Sequence, residues 1–309
     1  MNTVKENTLE SINPATLEIV GSVAITKIED VYKIVEKARK TQKSWSNIEL
    51  KERVKILKPI GKRLQEEANN IGSLITAEMG KSLKEGKGEA TFGAQKFSSE
   101  LQSAYEAFLP EEVVDENTKS LVYRDPFGVS AAITPWNFPM LMPQQCILPS
   151  LIAGNTVVFK PSEETPLVGQ TYADILNEVL PEGVLQVIHG ADEQGKALVS
   201  SNINLVTFTG SREVGANILT ACGPDLKRVI LELGGKDALI VLDDADIEAA
   251  ATFAVHNSFR NAGQVCVSTE RIYVNNTIAD EFESLVISKA EQLKQGNPAD
   301  EDIAIGPMV

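Results

Sequence analysis

The sequence predicts an α/β fold built around a mostly parallel sheet. From about residue 119 onward, short β-branched runs alternate with helical patterns, and this alternation is typical of βαβ units. Of the 309 residues, 43% are hydrophobic and 23% are charged, which is enough apolar surface to offset chain entropy. At roughly 100–200 residues per domain, we expect two domains.

The first hundred residues are predicted to be largely helical. Thr26 and Glu29 have the spacing of a capping box, and apolar residues then recur at helical period from Val31. Two further helices are expected at about 50–64 and 71–78, the second ending before Gly80.

The strands follow from apolar runs bounded by turn residues. Residues 120–128 are interpreted as a strand ended by a turn, and the other predicted strands are 129–133, 156–159, 185–188, 205–208, 229–233, 238–242 and 271–274. Helical patterns fill the intervals at about 166–179, 192–200, 211–221, 245–260 and 277–294. Sheets of this kind bind ligands at the carboxyl ends of their strands.

Charge and composition exclude several functional classes. The net charge is −14, so the chain lacks the electrostatic attraction that drives binding to nucleic acid or anionic lipid. No apolar run reaches the length of a transmembrane helix, and the N-terminal residues have no apolar core of the signal-peptide kind. We therefore expect a cytoplasmic protein that binds neither nucleic acid nor membrane.

The cysteine content supports a cytoplasmic location, and the histidine content argues against a metal site. Three cysteines, Cys146, Cys222 and Cys266, argue against a disulfide framework. The two histidines, His189 and His256, lie far apart without metal-ligand spacing, and no metal site is predicted.

Cys266 and Glu232 are the candidates for covalent and acid–base chemistry. A lone cysteine is usually a small buried hydrophobe, but Cys266 follows a helix that Gly263 interrupts, so its thiol is expected on an exposed turn. Glu232 ends an apolar strand and precedes two glycines. A partly buried carboxyl there would suit general-base work, whereas the alternative is a strand-end ion pair with Lys236.

Three further segments follow strand ends. In TPWNFP (134–139), two prolines fix the backbone around Trp136 and Asn137, and an asparagine amide suits an oxyanion. The alternative is a proline-rich turn with an aromatic plug.

Lys160 and Glu163, with Ser162 nearby, have the chemistry to bind ribose hydroxyls, although a capped helix start explains Ser162 equally well. Gly210 and Ser211 open a helix and form a phosphate site. Neither GxGxxG, the P-loop nor GxSxG is present.

Together these segments resemble the NAD(P)-dependent aldehyde dehydrogenase superfamily, in its semialdehyde and medium-chain aldehyde group. The motifs are TPWNFP (134–139), FKPSEETP (159–166), FTGS (208–211), LELGGK (231–236) and GQVC (263–266). The resemblance implies a doubly wound, Rossmann-like NAD domain followed by a second α/β catalytic domain that is incomplete at Val309. It also implies that Cys266 is the nucleophile, Glu232 the general base, and Asn137 an oxyanion donor with the Cys266 backbone N–H.

The resemblance also implies the cofactor contacts. Lys160 and Glu163 correspond to the adenosine-ribose contacts with Ser162 beside them, and Gly210 and Ser211 to the pyrophosphate turn. Trp136, Asn137 and Leu233 correspond to positions on the nicotinamide side. Glu163 favours NAD because its carboxylate would repel a 2′-phosphate, with NADP as an allowed alternative.

The implied organisation is an NAD-binding domain from 1–107 and 127–234, oligomerisation strands at 108–126, and the first part of the catalytic domain at 235–309. A homodimer or homotetramer is implied for the full-length protein. The segment 140–148 lacks the arginine expected to bind an acidic semialdehyde. Semialdehydes and medium-chain aldehydes are therefore ranked equally as candidate substrates. Two alternatives remain: a non-catalytic NAD-binding or structural fragment, and a thiol esterase that uses Cys266.

Overall fold

The computed structural model describes residues 4–5 and 7–309 of the chain. Three short antiparallel strands begin it: β1 (Val4–Lys5), β2 (Thr8–Ile12) and β3 (Ile19–Ala24). None of these strands was predicted. Three long helices follow, α1 (Ile28–Ser46), α2 (Leu50–Met79) and α3 (Leu83–Phe108).

Two predictions for this region are wrong. The helices expected at about 50–64 and 71–78 are one continuous helix, α2, which ends as predicted at Gly80 in a left-handed conformation (φ 81°). Thr26 forms no capping box: Lys27 occupies the N-cap of α1 without a side-chain hydrogen bond, and the Thr26 hydroxyl instead accepts the backbone N–H of His189 at 3.0 Å. A hydrogen bond to a residue distant in sequence has therefore replaced the expected helix cap.

An exposed antiparallel hairpin separates α3 from the main sheet. It consists of β4 (Glu111–Val114) and β5 (Lys119–Val122), and every residue of both strands is exposed. The strand predicted over 120–128 is therefore shorter than expected. The hairpin lies within the predicted oligomerisation segment 108–126; this assignment and the other domain boundaries stay predictions.

The central sheet has five parallel strands in the order β10-β9-β6-β7-β8. They are β6 (Val129–Ile133), β7 (Thr156–Lys160), β8 (Leu185–Val187), β9 (Leu205–Gly210) and β10 (Arg228–Leu233), joined through α4 (Leu141–Ala153), α5 (Pro166–Asn177), α6 (Asp192–Ser200) and α7 (Arg212–Cys222). Each strand begins and ends within two residues of its predicted bounds.

Successive residues of the strands pack into different cores, as a sheet covered on both faces requires. Ala131 and Ile133 pack with α1, α6 and α7. Ala132 between them packs with α2, α3, α4 and α5. The sheet is therefore doubly wound, as the family resemblance implied.

A second, smaller α/β unit completes the chain. The parallel strands β11 (Asp237–Val241) and β12 (Thr269–Val274) pack with α8 (Ile247–Phe259) and α9 (Ala279–Ala290) around a small core that includes Val241 and Phe282. A short 3-10 turn, Arg260–Gly263, follows α8. Within residues 4–5 and 7–309, no helix has both the length and the apolarity to cross a bilayer.

Candidate active site

The strand register brings the predicted site residues to one edge of the central sheet. Ile133, the last residue of β6, pairs with Lys160 on one side and with Phe208 on the other. Leu233 pairs with Gly210. Because the strands are parallel, their carboxyl ends and the segments that follow them lie at the same edge of the sheet, where sheets of this kind bind ligands.

The Cys266 loop approaches this edge from the second unit. It begins with three successive residues in the left-handed region, Asn261 (φ 51°), Ala262 (φ 55°) and Gly263 (φ 77°). Left-handed backbone is costly for residues other than glycine, so contacts are needed to hold this turn. Cys266 itself is exposed, as the sequence predicted, and is not the buried hydrophobe of the alternative interpretation.

The Asn137 side chain is joined directly to the Cys266 loop. Its Nδ2 donates a hydrogen bond to the carbonyl oxygen of Gln264 at 3.1 Å. Asn261 Nδ2 donates to the same oxygen, also at 3.1 Å. An amide carries two N–H donors, so Asn137 can hold the loop and still present a donor beside the thiol-bearing segment.

Glu232 differs from its expected setting. Its side chain is exposed rather than partly buried. The ion pair with Lys236, which was the alternative interpretation, is absent from the described residues, and Lys236 pairs instead with Glu270 on β12. The segment after it does contact the Cys266 loop: a methyl group on Gly235 would lie 3.4 Å from the Cys266 carbonyl oxygen. Glu232 therefore lies three residues from that contact, with no fixed ion-pair partner among the described residues.

Lys160 is the buried member of the predicted ribose site. Its ammonium lies 3.1 Å from a Glu163 carboxylate oxygen and donates to the Pro161 carbonyl at 3.2 Å. Ser162 does not cap α5, contrary to one interpretation of the sequence. Its hydroxyl accepts the N–H of Glu164 at 3.3 Å, and Thr165 occupies the N-cap position.

His189 joins this group, and sequence reasoning gave it no role. It follows β8, the strand beside β7, so it lies at the same carboxyl edge. Burial and the neighbouring Lys160 lower the pKa of His189 to about 4, and its Nε2 is hydrogen-bonded to Gln170 at 2.7 Å. Its position directly after the strand predicted at 185–188 was the available signal.

The predicted pyrophosphate turn has the expected form. Ser211 is the N-cap of α7, and its hydroxyl accepts the N–H of Val214 at 3.2 Å. The Leu233 side chain packs on Gly215 of the same helix, where an added methyl would lie 2.8 Å from it. Trp136 packs against the core of α2 to α5.

The other two cysteines lie away from solvent. Burial raises the pKa of the Cys146 thiol, with opposing hydrogen bonds from Thr207 and Thr209, and also raises the pKa of Cys222. Cys266 is thus the exposed thiol among the three. Within residues 4–5 and 7–309, no group of three histidine, cysteine, aspartate or glutamate side chains has the arrangement of a metal site.

The fold and site define a doubly wound α/β protein with polar side chains at its strand ends and an exposed thiol on a loop that contacts them. Comparison with known proteins narrows this class. The profile of the aldehyde dehydrogenase family matches residues 2–309, and the chain belongs to that family.

Individual relatives agree with this assignment. The chain is 38% identical over 304 residues to a probable succinate-semialdehyde dehydrogenase [NADP(+)] of Sinorhizobium fredii, covering 96% of this chain and 62% of the relative. It is 35% identical to a glutarate-semialdehyde dehydrogenase of Pseudomonas putida, covering 98% of this chain and 64% of the relative. The crystal structure of an aldehyde dehydrogenase from Brucella melitensis biovar abortus 2308 superposes with a TM-score of 0.94 at 34% identity, covering 100% of this chain and 65% of that one. The chain thus spans less than two thirds of the length of these proteins.

Proposed function

We propose that the protein to which this chain corresponds oxidises an aldehyde to the carboxylic acid with NAD(P). The observation that carries the proposal is the hydrogen bond from Asn137 Nδ2 to the carbonyl oxygen of Gln264, two residues before Cys266. It holds an amide donor beside the segment that presents an exposed thiol. Family membership and the names of the relatives support the same reaction.

The proposed chemistry begins at the Cys266 sulfur. The thiolate attacks the aldehyde carbon and forms a C–S bond, and the Asn137 amide stabilises the oxyanion with the Cys266 backbone N–H. Loss of hydride from that carbon leaves a thioester on Cys266. Glu232 then takes a proton from water, which attacks the thioester and releases the acid and the thiol. The exposure of Glu232 leaves its carboxylate accessible to that water.

The strand-end residues fit a dinucleotide. The buried Lys160 with Glu163 offers a donor and an acceptor for ribose hydroxyls, and Ser211 at the start of α7 offers the positive end of a helix to a pyrophosphate. Trp136 and Leu233, each partly buried against one of the two cores of the sheet, supply apolar surface for the nicotinamide side. When bound, the nicotinamide supplies the hydride acceptor.

We propose NAD as the preferred cofactor and NADP as the weaker one. A glutamate at a ribose site accepts hydrogen bonds from the 2′-hydroxyl and repels a 2′-phosphate. The Sinorhizobium relative is named for NADP, so the preference needs a direct test. Comparison of kcat/KM for the two cofactors in the wild type and in Glu163→Gln decides it: the variant should gain relative activity with NADP. A ratio unchanged by Glu163→Gln contradicts this role.

The substrate we propose is a semialdehyde, because relatives of this kind are named for succinate and glutarate semialdehydes. A medium-chain aldehyde is the second candidate, favoured by the partly exposed apolar side chains of Leu141 and Met142 at the start of α4. Homo-oligomer formation and a cytoplasmic location stay predictions.

The test is NADH formation by the full-length protein with succinate semialdehyde, glutarate semialdehyde and hexanal. Cys266→Ala should lower kcat by roughly 10⁴-fold or more, as loss of a covalent nucleophile does. Cys222→Ala, a change at a buried cysteine in the other unit, is the matched control and should retain activity. Glu232→Gln should give one burst of NADH and little further turnover.

Three outcomes would overturn the proposal. Full activity in Cys266→Ala excludes the covalent mechanism. NAD binding by the wild type without any aldehyde-dependent NADH favours the non-catalytic alternative, and ester hydrolysis alone favours the esterase.

A further inference from the structure

The first turns of α3 contact both segments of the candidate active site. Glu85 and Glu89 are one helical turn apart and therefore project from the same face of the helix. Glu85 Oε1 accepts the backbone N–H of Asn261 at 2.9 Å, at the left-handed start of the Cys266 loop. The Ser82 hydroxyl, 3.3 Å from the other Glu85 oxygen, orients the carboxylate.

Glu89 makes the corresponding contact with the Asn137 segment. Its Oε1 accepts the backbone N–H groups of Met140, at 3.1 Å, and Leu141, at 3.2 Å, three and four residues after Asn137. Its other oxygen is paired with Lys81, and both of these side chains are only 2% exposed. The Lys81 ammonium also lies 3.7 Å from the centroid of the Phe138 ring, next to Asn137.

The two contacts close a ring of interactions. From α3, Glu89 reaches the segment that carries Asn137. Asn137 binds the Gln264 carbonyl, Asn261 Nδ2 binds the same carbonyl, and the Asn261 backbone N–H returns to Glu85. All of these links except the one from Asn261 to Gln264 join residues more than 50 positions apart, so a shift of either loop has to break at least one of these hydrogen bonds.

We propose that Glu85 and Glu89 are positioning residues that hold the Asn137 amide and the Cys266 backbone at a fixed separation. The importance of that separation for catalysis rests on the proposed function, whereas the hydrogen bonds that hold the two segments do not depend on it. A loop with two consecutive non-glycine residues in the left-handed region stays in place only if its surroundings hold it. Catalytic groups need to be held within about 0.5 Å of their working geometry, and the carboxylates of α3 supply that restraint.

The experiment compares Glu85→Ala, Glu85→Gln and the control Glu106→Ala. Glu106 is exposed near the other end of α3, where its carboxylate bonds only Gln102 of the same helix among the hydrogen bonds described. Hydrogen exchange of the backbone amides 259–266 and the rate of Cys266 alkylation by iodoacetamide are measured on the whole chain. Kinetics with the full-length protein provide kcat and KM.

Glu85→Ala should raise the exchange rate of the Asn261 amide by about tenfold or more, the effect of losing a hydrogen bond to a charged acceptor. Glu85→Gln keeps an acceptor oxygen and should restore most of the protection, and Glu106→Ala should change nothing. In the full-length protein, Glu85→Ala should lower kcat while leaving KM for the cofactor unchanged. If Glu85→Ala does not fold, Glu85→Asp shortens the side chain by one methylene and should show the same local loss.

Unchanged exchange at Asn261 in Glu85→Ala overturns the proposal. An equal rise throughout the central strands also overturns it, because that pattern is general destabilisation. Local loss of protection with an unchanged kcat refutes the positioning role and leaves the proposed function intact. Absence of aldehyde oxidation in the wild type refutes the proposed function, and the exchange and alkylation rates still decide whether Glu85 holds the loop.

Discussion

Glu78 predicts an unusual dependence of stability on pH. The carboxylate is buried at the end of α2 and accepts hydrogen bonds from the Ser11 hydroxyl at 2.7 Å and from the backbone N–H groups of Leu167, at 3.0 Å, and Val168, at 2.7 Å. Burial raises its pKa from 4.5 to about 7, although these three hydrogen bonds act in the opposite direction. A single carboxyl thus joins β2, α2 and the start of α5.

The sign of the effect follows from proton binding. Between the unfolded pKa of 4.5 and the folded pKa of about 7, the folded chain holds a proton that the unfolded chain has released. Stability is therefore fully present below pH 4.5 and is lost as pH rises through 7. The difference between the two pKa values corresponds to a loss of about 3 kcal/mol.

Urea denaturation at pH values from 5 to 8, followed by tryptophan fluorescence, measures this loss. Glu78→Gln has no group that titrates at this position. Between pH 5 and pH 8, the free energy of unfolding should therefore fall by about 2.5 kcal/mol less in this variant than in the wild type. Glu36→Gln, an exposed change on α1, should follow the wild type. Parallel curves for the wild type and Glu78→Gln would refute the reasoning, since they would show that the carboxyl has the same pKa in both states.

Two further predictions concern α2 and α3. Lys81→Met and Glu89→Gln should each lower the free energy of unfolding by about 3–5 kcal/mol, because each leaves a buried charge unpaired. The double variant should lose clearly less than the sum of the two single losses. Additive losses in urea denaturation would contradict the pairing. Gly72→Ala would place a methyl 2.5 Å from the Lys87 Cα and should destabilise by about 2 kcal/mol through overpacking. A methyl group at Gly88 would meet no atom within 4 Å, so Gly88→Ala should stabilise the fold by up to about 1 kcal/mol. Equal shifts in Tm for the two glycine variants would refute the close contact between α2 and α3.

The sheet strands were predictable because burial on both faces makes them short, continuous apolar runs. All five residues of β6 are buried, and its predicted and observed bounds coincide. The continuity of α2 was not recognised because residues 65–70 are mostly polar. Leu64, Ala68 and Ile71 nevertheless keep the helical period through that stretch and are buried, so a single small alanine carries the apolar stripe across it.

The motifs predicted candidate site residues, but not the long-range contacts that hold their segments together. The family motifs identified Asn137 and Cys266, and their segments are in contact. The Lys236–Glu270 pair and the Glu85–Asn261 hydrogen bond join residues 34 and 176 positions apart, and no local pattern encodes such distances. Ser82 and Glu85 have capping-box spacing, and the Ser82 hydroxyl does accept the Glu85 N–H at 3.4 Å. Thr26 and Glu29 have the same spacing and form no such cap. Spacing alone therefore does not distinguish a residue that caps a helix from one that does not.

The strand order also determines the order in which the strands of the central sheet can pair during synthesis. β6 is the first strand of the central sheet to leave the ribosome and occupies its middle. β7 and β8 then extend one side, and β9 and β10 extend the other, so every new strand meets a neighbour that already exists. The Cys266 loop emerges after all five. The Cys266 thiol is therefore made after the five strands, and it joins an edge whose strands are already present.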